Sequence, residues 1–171
     1  MKKLLYWSIA ILVLTGLIVY GFRSAPKVIR LDRQIEVTAY KLQDTSFAKP
    51  VKIALKGAFD EKSESYLGEM RINGIQYTNC SLSPELGFMY CALEGRRLPF
   101  PGQVYANKDF SQWSLAVQQS YQPNDTKNDL YNSLNQGSTT HDTIIISIPA
   151  KGWEAAVELY QRLQNDWVDK L

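Results

Sequence analysis

Residues 66–78, YLGEMRINGIQYT, restrict the fold more than any other stretch of this chain. Asn73-Gly74 suits a two-residue type I′ turn, because Asn and Gly tolerate positive φ at both central positions. Before the turn, Tyr66, Gly68, Met70 and Ile72 fall on one face of a strand, and Leu67, Glu69 and Arg71 on the other. The same period of two appears at Ile35, Val37 and Ala39, and after Pro50 at Val51, Ile53, Leu55, Gly57 and Phe59. Further strands are expected at FMYCAL (88–93), at 103–106, at 112–118 and at the β-branched run TIIISI (143–148). Residues 95–102 carry Pro99, Pro101 and two glycines and read as a loop outside any central ladder. Residues 119–142 are polar and read mainly as a long loop, with a short helix near Asp129–Asn135.

After Pro149 the period changes. Trp153, Ala156, Val157, Tyr160, Leu163, Trp167 and Leu171 recur at spacings of three and four, the stripe of an amphipathic helix. The predicted fold class is therefore α+β: a mostly antiparallel sheet of about seven strands, with this C-terminal helix packed on it.

The amino terminus sets a compartment. Residues 4–22 hold no formal charge, and as a helix they would cover about 28 Å, close to the ~30 Å hydrocarbon core of a bilayer. Lys2 and Lys3 precede the run, and Tyr6, Trp7, Tyr20 and Phe22 lie near its two ends, where aromatic rings suit the headgroup zones. The expected organisation is a cytoplasmic head (1–3), a transmembrane signal anchor (4–22) that contacts the lipid bilayer, a spacer (23–34) and an extracytoplasmic α+β domain (35–171). A cleaved signal peptide is the competing reading, though the run is longer than the usual 7–15 residues. The localisation expected is the cell membrane, single-pass, with the C-terminal domain outside.

Charge and chemistry exclude more than they identify. The chain has 19 basic and 17 acidic residues, and setting Lys2 and Lys3 aside leaves the remainder formally neutral. A nucleic-acid partner is not expected, because such proteins concentrate basic charge on one face. Cys80 and Cys91 enclose SLSPELGFMY, whose Pro84 and Gly87 allow the chain to reverse, so a disulfide is possible outside the cytosol, with two buried thiols as the alternative. His141 is the single histidine, and its spacing from the cysteines fits no zinc motif, so no metal or cofactor is expected. Gly-x-Ser-x-Gly is not present. A Cys–His pair built from Cys80 or Cys91 with His141 stays open as a thiol enzyme or hydrolase. Tyr121 and Tyr131 lie in the polar loop, where exposed rings would suit a glycan or a partner peptide.

The lysine-capped apolar run, VKIALKGAF (51–59), YLGEMRINGIQY (66–77) and TIIISIPAKGWEAAVELYQRL (143–163) resemble uncharacterised single-pass, extracytoplasmic β-rich proteins of Gram-positive bacteria. The resemblance implies a location and a style of fold, and no activity. The expected function is a non-enzymatic, membrane-tethered accessory or binding module of the cell envelope, with an envelope protein or glycan as partner.

Overall fold

The computed structural model describes residues 11–16, 27–83, 88–93, 95–120 and 127–169. Eight antiparallel strands follow one another around a closed barrel: β1 (Val28–Lys41), β2 (Ala48–Asp60), β3 (Ser65–Ile72), β4 (Ile75–Ser83), β5 (Phe88–Leu93), β6 (Arg96–Ala106), β7 (Trp113–Val117) and β8 (Ile144–Ile148). Helix α1 (Lys127–Asn135) lies between β7 and β8, and α2 (Trp153–Val168) ends the described chain.

Alternation builds the barrel. Val51, Ile53, Leu55 and Phe59 of β2, with Tyr66, Met70 and Ile72 of β3, point into one buried core, while Lys52, Lys56, Glu69 and Arg71 are exposed. Apolar inside and charged outside is the reverse of a lipid-spanning barrel, whose outer band is apolar. The β3–β4 turn is the expected Asn-Gly hairpin, with φ of 47° at Asn73 and 88° at Gly74 and Ile72 paired with Ile75. Gly57 and Gly68 face one another in the ladder, where a Cβ on either would come within 2.7 Å of the other's Cα. Side chains at both positions would force β2 and β3 apart.

Two expectations are corrected. The first is the mostly antiparallel α+β sheet of about seven strands: among the described residues the strands number eight and close on themselves, through Tyr40↔Ile145 and Lys41↔Ile144. Pairing between the first and last strands leaves no local mark, so alternation alone does not distinguish a sheet from a barrel. β6 is also longer than the strand expected at 103–106, because it runs on through the segment whose prolines suggested a loop. β6 takes in Pro99 and Pro101, and its register against β5 slips between Phe88↔Gln103 and Tyr90↔Pro99. An irregularity of this kind tolerates residues that lack an N–H. The second is the N-terminal transmembrane helix. Of residues 4–22 only 11–16 are described; they are helical and exposed, and among the described residues no helix is long and apolar enough to cross a membrane.

The C-terminal helix packs as its stripe requires, on the outer wall. Ala156, Leu159, Tyr160 and Leu163 form a second core with Tyr40, Tyr105, Ala116 and Ile145. Each large apolar side chain buried there contributes about 2 kcal/mol. β7 and β8 are therefore covered on both faces, and all five β7 residues are buried. The two outward hydroxyls trapped beneath the helix are satisfied in series: Ser114 donates to Ser147 at 2.8 Å, and Ser147 to the Ala156 carbonyl at 2.7 Å.

Candidate functional site

The two ends of the barrel are closed differently. At the lower end the β6–β7 turn is cross-tied: the Gln112 N–H donates to the Asn107 side chain, and the Ser111 N–H and hydroxyl donate to Asp109. These bonds hold Phe110 at φ 54° and drive its ring inward, where it meets Phe59 at 4.9 Å, Tyr66 at 5.8 Å and Trp113 at 5.9 Å.

At the upper end α1 lies across the mouth and sends Leu130, Tyr131 and Leu134 into the core. Its last turn contains no basic residue, so its carbonyls are met from the barrel wall. The Lys49 ammonium donates to the Ser133 carbonyl at 2.9 Å, a cation placed where the helix dipole is negative. Lys41 is fully buried, and its ammonium donates to the Ser138 hydroxyl and to the Thr140 hydroxyl and carbonyl, each at 2.7 Å. It also stands 4.7 Å from the Phe47 ring centre. Burial pulls both lysines below the ordinary amine range; at Lys41 the Asp44 and Asp142 charges act the other way. Both lysines occupy inward positions, in step with Ala39 and Val51, and a charge at an inward strand position is the signal that sequence reasoning passed over.

Against this latch sits a polar notch of about 610 Å³, lined by Gln43, Gln118, Gln119, Ser120, Tyr131, His141, Asp142 and Thr143. Asp142 organises it. One carboxylate oxygen accepts the Gln43 N–H and the other the Thr143 N–H, so both are engaged in holding backbone. The Tyr131 hydroxyl donates to the Asp142 carbonyl at 3.0 Å. Among the described residues, what faces solvent is then amide, hydroxyl and imidazole, without a lysine or arginine. Such a lining pairs with a neutral ligand rich in hydroxyls or amides better than with a phosphate or carboxylate.

The residues singled out from sequence separate in space. Tyr131 is 1 % exposed, so its ring belongs to the core, and it meets the notch through its hydrogen bond to Asp142. Tyr121 lies outside the described residues. His141 is exposed on the notch rim. Cys80 and Cys91 are joined in a disulfide between β4 and β5 and are buried in the barrel core, so neither sulfur is available as a thiolate beside His141. Among the described residues no group of three or more His, Cys, Asp or Glu side chains converges on a metal-sized site.

A second concavity, of about 760 Å³, lies on the outer wall along Lys56, Leu67, Glu69, Asn79 and Ser81. Gly57 and Gly68 also line it, and its charged members, Lys56 and Glu69, face each other across the ladder. The notch has the convergent polar groups that mark a binding site. No family model, curated protein or solved structure matches this chain.

Proposed function

We propose that this chain is a non-enzymatic binding module held on the outer side of a membrane, and that its polar notch takes a neutral glycan or an extended polypeptide of the envelope. The observation that carries the reading is the notch itself: amides and hydroxyls converge on a rim whose one carboxylate among the described residues is already engaged by backbone N–H groups. The location is supported by the Cys80–Cys91 disulfide, a bond that persists in oxidising compartments. The thiol-enzyme alternative loses its nucleophile to that bond.

The test is binding of the full chain to soluble neutral oligosaccharides and to uncharged peptides, followed by calorimetry. Saturable binding is expected, and Gln119→Ala weakens it about tenfold, the factor for ~1.4 kcal/mol of lost hydrogen bonding. Binding that Gln119→Ala and Gln43→Ala leave unchanged contradicts this reading.

A further inference from the structure

The barrel closes on only two residue pairs of β1, Tyr40 and Lys41, although β1 is 14 residues long. Along its other side β1 is paired with β2 from Val28 to Tyr40. Which backbone groups face away follows from the ladder. Lys52 of β2 accepts the Asn73 N–H on its carbonyl and donates its own N–H to the Asn73 side chain, so both its groups point to the β3 side. Its neighbour Ile53 then points to β1 and pairs with Ile35, so the odd-numbered residues of β1 bond β2. The even-numbered residues point the other way, as Leu42 confirms by donating to Thr143 beside β8. Arg30, Asp32, Gln34 and Glu36 thus present N–H and C=O groups along an edge that no described strand covers, and all four side chains are exposed.

An uncovered edge is a template for another strand, and charges on it usually keep other strands away. Here the charges are ordered so as to match a copy of themselves. In an antiparallel pair opposed residues share a face, so even residues must meet even ones. Centring two β1 strands on Arg33 sets Arg30 against Glu36 of the other copy, and the reverse, with Asp32 opposite Gln34. The inward residues then match as Ile29 against Val37 and Leu31 against Ile35. Shifting the centre by one residue in either direction sets Asp32 against itself or against Glu36.

We propose that two copies of this chain associate through the β1 edges, antiparallel and centred on Arg33, in an isologous two-fold dimer. The arrangement adds about eight ladder hydrogen bonds and two Arg–Glu pairs. Glu36 already lies 3.2 Å from Lys52 on β2, so it would bridge two cations across the interface. Arg33 meets its own copy at the axis, the one repulsive contact in the register.

The experiment is the mass of the full chain in detergent, measured by sedimentation across a hundredfold range of concentration, for the natural chain and for Arg30→Glu, Glu36→Arg and the two combined. A reversible dimer is expected. Each single reversal, which places like charges in both pairs, weakens it at least about tenfold, and the double exchange restores it. Arg33→Cys is expected to form an intermolecular disulfide in air, because residues opposed on the axis in a non-hydrogen-bonded pair have Cα atoms about 4.5 Å apart. Gln34→Cys, which faces Asp32, is expected not to. A chain that stays monomeric throughout, or a dimer indifferent to both single reversals, overturns the proposal. A monomer that captures an unrelated strand instead overturns it equally.

Discussion

The lower and upper ends of the barrel perform the same task, keeping water out of the core, with opposite chemistry. Below, a cross-tied turn inserts one phenyl ring among three others, and the stopper is apolar. Above, a short helix is held by two lysines drawn from the barrel wall, one of them wholly buried. An apolar plug gains its energy from displaced water and has no reason to open. A polar latch gains little net energy, because each hydrogen bond made replaces one to water, but it fixes the geometry of its surroundings. The notch lies beside the latch. Asn135, in the same network, carries the only buried side-chain atom without a hydrogen-bond partner among the described residues, its Oδ1. The lower end reads as stability, the upper end as a place where exposed polar groups are held in position.

Alkaline pH breaks both ends together and gives the largest effect. Burial pushes Tyr66, near the lower stopper, up to about 12, and raises Tyr77 and, at the upper end, Tyr131. A folded value above the unfolded one gives stability that is complete below the unfolded value of 10.0 and lost as the pH rises through the folded value. Lys41 and Lys49 act in the opposite sense, since the cost of burying their ammoniums eases as the pH approaches 10.5. The tyrosines outnumber them. Tyrosinate absorbance and loss of near-ultraviolet dichroism are expected to rise together in one transition above pH 10; tyrosinate appearing well before unfolding would contradict the burial described.

Phe110→Ala separates the ends. It removes the ring that touches Phe59, Tyr66 and Trp113 and is expected to cost about 3–5 kcal/mol of stability by urea unfolding. Lys41→Met keeps the length of the side chain and removes its donors. A loss of about 2 kcal/mol is expected. Amide exchange should accelerate at 138–143 and not at 107–112. Equal acceleration at both loops would remove the distinction between stopper and latch.

Much of the wall was legible in the sequence. Strands β2, β3 and β4 could be read from alternation and from Asn73-Gly74, because both signals are local. The helix stripe was legible too, except that Leu159 belongs to it. Closure was not, since the meeting of Tyr40 with Ile145 spans more than a hundred residues, and the first half of β6 was hidden behind prolines that an irregular ladder accommodates. The site was less legible than the fold. Tyr131 stood out as an aromatic in a polar loop, yet its ring had a core to enter. Asp142, Lys41 and Lys49 passed unnoticed, although the two lysines broke the inward apolar pattern of their strands.

The central claim is that the core is filled by the chain's own side chains, so that a ligand is met at the upper rim. Amide chemical-shift mapping of the full chain during titration with a binding oligosaccharide or peptide tests it most directly. Shifts are expected at Gln43, Gln118, Gln119, His141 and Thr143, with inward residues such as Leu55, Val104 and Ile146 unmoved. Shifts centred on those inward residues, with the rim unchanged, would contradict it.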